Sequence, residues 1–281
     1  MVLESITEFL ATHKNIAKIF SEAWFESELR KSNEEMHLLA KQFTFDDTLD
    51  DRSISHHLFD HLEENLEILR DEIQSKGTVS KKLKDAREYT NTIGQIEIAA
   101  LFKKIGFDIE LEPRIQGSKK KSDIKIVIGE FVGYVEVRTL HDREGTVVFK
   151  SDRMEISTIN NHPIPTIKGK IKRKTQQLSE HHPGIIAINL DDISRTLHIE
   201  AAFYESSKEC PIISGMLLYR HYYNHEGCRM LIDFFANPYA KLPLPDPIER
   251  LLETGGITIS TWQADAIALM EEVTGKRFSG T

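Results

Sequence analysis

Between Ser122 and Thr139 the chain reads Ser-Asp-Ile-Lys-Ile-Val-Ile-Gly-Glu-Phe-Val-Gly-Tyr-Val-Glu-Val-Arg-Thr, and no other stretch limits the fold so tightly. Ile124, Ile126 and Ile128 alternate with Asp123, Lys125 and Val127, and Val135 and Val137 alternate with Glu136 and Arg138. A period of two predicts a pair of half-buried strands around a turn at Gly129-Glu130. A two-residue turn sets Ile128 against Phe131, Ile124 against Val135 and Asp123 against Glu136. A four-residue loop centred on the same place leaves that register unchanged. Opposed side chains stand about 4.5–5.5 Å apart at Cβ, so two carboxylates meet on one face. Like charges at that spacing repel unless a cation lies between them, and a metal site is therefore expected.

The 281 residues suffice for one large domain or two smaller ones, and a composition 40% apolar and 28% charged is ordinary for a soluble globular chain. No apolar run approaches the ~20 residues of a membrane span, and no signal-peptide core follows Lys14 or Lys18. Cys210 and Cys228 form neither a disulfide framework nor a Cys-x-x-Cys pair, so a reducing compartment, the cytoplasm, is expected. The net charge of −8 is uneven: residues 1–85 hold 11 Lys and Arg against 18 Asp and Glu. That acidity argues against nonspecific coating of nucleic acid but leaves room for an enzyme with a local basic groove.

Apolar residues at helical spacing, Ile6, Phe9, Leu10, Ile16, Phe20 and Trp24, then Leu58, Leu62, Leu66, Leu69 and Ile73, predict helices in the first part. Residues 43–55, rich in aspartate, read as a loop, and Ser75-Lys76-Gly77-Thr78 as a linker or boundary. We therefore expect an acidic helical domain over residues 1–80 and a second domain over residues 81–281. The second begins with a helix over 87–105, ended by Gly106 at the position a left-handed cap favours. A strand over 107–111, a polar loop over 113–121 and the hairpin follow. After a loop containing Asn160-Asn161-His162-Pro163 comes a helix over 164–180, then the apolar run 185–190, expected as a strand buried on both faces. Further strands are expected over 213–219 and 230–235, and helices over 247–252 and 264–273. The class is α/β (α+β).

The order αβββαβ, with Asp123 early in the second strand, Glu136-Val137-Arg138 in the third and Glu97 in the first helix, resembles the PD-(D/E)XK nuclease superfamily. These are the restriction-endonuclease-like and Holliday-junction-resolvase-like enzymes, and the resemblance covers roughly residues 86–190. It implies a central mixed sheet flanked by helices and a Mg²⁺- or Mn²⁺-dependent endonuclease acting on DNA. Asp123 and Glu136 would bind the metal with the Val137 carbonyl, and Glu97 would orient a metal-bound water. The chemistry accounts for these residue types. Mg²⁺ takes oxygen ligands and keeps waters, so one or two carboxylates suffice; the ion lowers the pKa of a water and neutralises charge on the phosphoryl oxygens.

Two positions depart from the family pattern. Ser122 replaces the proline before the acid, and Arg138 stands where the lysine is usual. A guanidinium stabilises charge but cannot serve as a base. Lys125, two residues after Asp123 and on the same face, is a compensating cation. Glu97 has Ile93, Ala100 and Leu101 as helical neighbours, so it is expected to be metal-bound or in a salt bridge with Lys103, Lys104 or Arg138.

Lys168, Lys170, Lys172, Arg173 and Lys174 crowd the helix after the hairpin, and Lys170, Lys174 and Gln177 share a face. In the resemblance this helix often brings a Lys or Gln towards the active centre, and its cations would contact phosphates. His57 and His61 have a His-x3-His spacing that suits Zn²⁺ on a helix, without a further ligand in view. His141-Asp142 follows the third strand, within reach of the site. No Walker or dinucleotide motif occurs. The expected partner is DNA, without a membrane; a protein partner for the helical domain and a homodimer are further expectations. The competing reading is a catalytically inactive protein of the same fold that binds nucleic acid or a partner.

Overall fold

The period-two pattern builds the centre of the molecule. The computed structural model describes residues 5–44, 52–115, 120–139, 149–150, 153–154, 164–189, 203–224 and 227–253. Its strands are β1 (Asp108–Leu111), β2 (Ile124–Ile128), β3 (Phe131–Thr139), a ribbon of β4 (Phe149–Lys150) and β5 (Arg153–Met154), then β6 (Gly184–Asn189), β7 (Ile213–Asn224) and β8 (Gly227–Ala236). Six of them form one sheet in the order β1-β2-β3-β6-β7-β8. The hairpin register is the expected one, with Ile128 opposite Phe131 and Ile124 opposite Val135. Gly129 takes φ 56°, the left-handed conformation that a tight hairpin turn requires.

β1, β2 and β3 run antiparallel, β3 pairs in parallel with β6 and β6 with β7, and β8 returns antiparallel. A parallel pair cannot be closed by a tight turn and needs a crossover; the segment from β3 to β6 includes the helix over Ile164–Thr175. Every residue of β6 is buried, as its apolar run predicted.

The main helices among the described residues are α1 (Ile6–Thr12), α2 (Lys14–Ile19), α3 (Glu22–Leu29), α4 (Leu38–Thr44), α5 (Arg52–Ile68), α6 (Arg70–Ser75), α7 (Gly77–Lys84), α8 (Tyr89–Lys104), α9 (Ile164–Thr175) and α10 (Asp246–Glu253). α8 lies between the sheet and the N-terminal helices. It ends in a Schellman motif: Gly106, at φ 94°, donates to the Lys103 carbonyl and Phe107 to that of Phe102. The Phe102 and Phe107 rings close the motif at 5.3 Å. Gly94 allows the close approach of α8 to the sheet, since a Cβ there would lie 2.7 Å from Tyr219 Oη and 3.4 Å from Val137 Cγ1.

One buried apolar cluster runs from Phe9, Phe25 and Phe59 through Ile96 and Phe102 to Val135, Val137 and Tyr219. The N-terminal helices and this face of the sheet thus share a core. A second cluster, with Tyr134, Ile186, Ile188, Phe203 and Leu218, covers the opposite face. Some boundaries differ from expectation. Ser75 to Thr78, expected as a linker or boundary, holds the end of α6, a break at Lys76 and the start of α7. Both ends of the expected 43–55 loop are helical, because α4 continues to Thr44 and α5 begins at Arg52. α9 stops at Thr175, five residues short of the expected end. The aspartates at 46, 47, 50 and 51 and the helix expected over 264–273 lie outside the described residues.

Candidate active site

Alternation along β3 sends Val135 and Val137 towards α8 and Glu136 to the other face of the sheet. Asp123, just before β2, meets Glu136 there: its backbone N–H donates to Glu136 Oε1 at 3.1 Å, while Asp123 Oδ2 accepts from the Val137 N–H at 2.9 Å. Two carboxylates this close need a cation, and the described residues supply one. Lys174 Nζ, in the last turn of α9, lies 2.8 Å from Asp123 Oδ2 and 2.9 Å from Glu136 Oε2.

Burial sets the electrostatics. The Glu136 side chain is fully buried, whereas that of Asp123 retains 27% of its exposure. Burial first, and the Asp123 charge second, push the Glu136 carboxyl up to about 7, against the pull of Lys174. Burial works to lower Lys174, but the charges of Asp123 and Glu136 outweigh it and hold the ammonium above its ordinary range. The cluster is an ionised lysine between an aspartate and a glutamate that titrates near neutrality.

Beside it opens a groove of about 520 Å³, lined by Lys120, Lys121, Arg138, Arg173, Lys174, Gln176 and Gln177. Five cations and no acid line it, so it suits an extended anion. Comparison with protein-family models, curated proteins and solved structures returned no match. The site is therefore read from its own geometry.

Several residues stand elsewhere than expected. Arg138 is on the correct face, but it lines the groove, and the cation that touches both acids is Lys174, which the sequence reading put among the phosphate contacts. Lys125 turns along the sheet to Glu110, at 3.9 Å, and does not complete the pair. Lys168 is held by Glu205 and Glu209, each at 3.3 Å, in place of facing the groove. Lys172 is exposed, Gln177 lines the groove, and the Lys170 side chain lies outside the described residues. Val137 contributes its N–H to Asp123.

Glu97 is the largest departure. It sits on α8, on the face opposite Glu136, and its ion pairs run to His221 at 3.3 Å and His61 at 3.9 Å. Lys103 and Lys104, its expected partners, bind Glu72 and Glu64 instead. His61 is thus drawn to a carboxylate on another helix, the His57 side chain is half-buried, and His141 and Asp142 lie outside the described residues. Sequence reasoning missed His221, which nothing local distinguishes. Cys210 is buried and free, as expected, and the Cys228 side chain lies outside the described residues. No described helix is long and apolar enough to cross a membrane.

Proposed function

We propose that this protein is a DNA endonuclease that hydrolyses phosphodiester bonds with Mg²⁺ or Mn²⁺ on a restriction-endonuclease-like αβββαβ core. The order α8-β1-β2-β3-α9-β6, with the β4–β5 ribbon inserted before α9, resembles that of the PD-(D/E)XK nucleases. The observation that carries the reading is Lys174: a lysine from the helix after the hairpin meets Asp123 and Glu136 beside a groove of cations. In this reading Lys174, from α9, supplies the lysine that the strand lacks at Arg138.

The donor set suits Mg²⁺. Asp123 Oδ2 and Glu136 Oε2 converge on one point, both are carboxylate oxygens, and Asp123 is open to solvent. A bound Mg²⁺ would supply an activated water and neutralise charge on the phosphoryl group. Asp123 and Glu136 would hold it, and Lys174, released from between them, would donate to a phosphoryl oxygen as charge builds there. Arg138, Lys120, Lys121 and Arg173 would hold the flanking phosphates, which fixes the position of the strand without reading its sequence. Glu97, on the far face, has no part in this assignment.

The test is cleavage of linear, nicked, branched and single-stranded DNA with Mg²⁺ or Mn²⁺. Wild type should cut at least one form, and Asp123→Ala, Glu136→Ala and Lys174→Ala should not. Undiminished cutting by Asp123→Ala and Glu136→Ala would overturn the assignment. One observation favours a second reading, a binding module without catalysis: Lys174 Nζ already bridges the acid pair, 2.8 Å from Asp123 and 2.9 Å from Glu136. Under it, calorimetric titration of Mn²⁺ gives no binding at Asp123 and Glu136, while DNA is still bound.

A further inference from the structure

On the face of the sheet away from Asp123, three residues distant in sequence come together. His61 of α5, Glu97 of α8 and His221 of β7 place one ligand atom each within 4.8 Å of one another. Glu97 is buried, with 8% of its side chain exposed, and so is His221, with 3%. Only Glu97 Oε1 meets the imidazoles; Oε2 is buried and has no hydrogen-bond partner among the described residues. A buried carboxylate oxygen left in that state is costly. The three side chains line a cavity of about 670 Å³, together with Tyr89, Thr139 and Asn189, and Thr139 Oγ1 is likewise buried without a partner.

We infer that His61, Glu97 and His221 bind a divalent transition-metal ion of the zinc class. Two imidazole nitrogens and one carboxylate oxygen are a zinc-type donor set, whereas Mg²⁺ and Ca²⁺ favour oxygen alone. Ligand bonds of about 2.0–2.1 Å in a tetrahedron put neighbouring ligand atoms about 3.3 Å apart. His221 Nε2 and Glu97 Oε1 already lie at 3.3 Å, and His61 Nε2, at 3.9 Å from the same oxygen, needs only a small rotation of its ring. Asn65 Nδ2 now lies 3.1 Å from His61 Nε2 and would have to release it. Three protein ligands leave a fourth position, which the cavity can fill with water. The ion would join α5, α8 and β7, and so pin the N-terminal helices to the sheet.

An ordinary buried His–Glu cluster is the competing account, and it leaves Glu97 Oε2 without a partner. The two accounts separate in equilibrium dialysis of the full chain against Zn²⁺, and in titration with Co²⁺ followed by its visible absorption. Wild type should bind one equivalent whose Co²⁺ spectrum is tetrahedral, apart from any octahedral ion on the oxygens of Asp123 and Glu136. His61→Ala and His221→Ala should each weaken binding of that equivalent by about 10–100-fold or more, the loss that removing even a ligand's own hydrogen-bond partner causes, and Asp123→Ala should keep the tetrahedral equivalent. That last variant separates this site from the nuclease assignment, so either can fail alone. If a histidine variant does not fold, wild type still decides: Co²⁺ should shift the ring protons of two histidines. No bound equivalent in wild type, unshifted histidine rings, or unchanged affinity in folded His61→Ala and His221→Ala would overturn the site.

Discussion

Gln95 Nε2 on α8 donates a 2.6 Å hydrogen bond to the main-chain carbonyl of Asp123, so a helix on one face of the sheet holds the acid that meets Lys174 on the other. Gln95 is buried. Gln95→Leu would keep the bulk and remove one of that carbonyl's two donors, the Glu112 N–H at 2.9 Å remaining, which costs about 0.5–1.5 kcal/mol. Urea unfolding should show the lower midpoint. DNA cleavage under the proposed reading should fall as well, although Gln95 touches no substrate.

Glu136 makes stability depend on pH in a definite direction. Its carboxyl is raised from 4.5 to about 7, so between those values the folded chain keeps a proton that the unfolded chain has lost. Its contribution to stability is full below about 4.5 and is lost as pH rises through about 7. Glu136→Gln removes this dependence. Chemical denaturation from pH 4.5 to 8 without divalent ions should show wild type losing stability relative to that variant as pH rises. Parallel curves would remove the basis for the raised carboxyl.

Lys174→Met removes the cation that lies between the acids among the described residues. Breaking a buried ion pair from one side costs roughly 3–5 kcal/mol, and the exposure of Asp123 points to the lower end. A divalent ion that fits the same oxygens should restore part of this. At a Mn²⁺ concentration a hundred times its Kd, binding would return about 2.7 kcal/mol. Thermal unfolding with and without Mn²⁺ reads both effects, and a variant that Mn²⁺ does not stabilise would count against metal at this pair.

The groove predicts which cations matter for DNA. Lys120→Ala with Lys121→Ala should lower the slope of log K against log salt by about 2, because each phosphate contact on duplex DNA contributes about 0.9. Lys168→Ala should leave the slope unchanged, since Glu205 and Glu209 already hold that ammonium. Binding isotherms at four salt concentrations distinguish the two.

Much of this was legible in the sequence, for reasons that differ by element. A period of two and a short turn leave one register for β2 and β3, so the meeting of Asp123 with Glu136 followed from pattern alone. The neighbours of Glu97 disclosed its burial but not its partners, because His61 and His221 arrive from α5 and β7 by tertiary packing. Lys174 was one of five cations in a run. Which of them turns inward depends on how α9 is rotated over the sheet, and local spacing does not encode that. The N-terminal charge bias did reveal an acidic segment, but charge reports on surface, and the apolar stripes of α1 and α5 join the sheet's core.

That shared interior bears on how such a chain can change over time. Because Phe9, Phe59, Ile96 and Tyr219 lie in one cluster, the acidic helices are not a cassette that recombination could exchange for another. A chain that lost them would present the α8 side of its sheet, with Val135 and Val137 beneath, to water. Innovation here would have to proceed by substitution at the groove and at the sheet's two polar clusters, with the helices and the sheet inherited together.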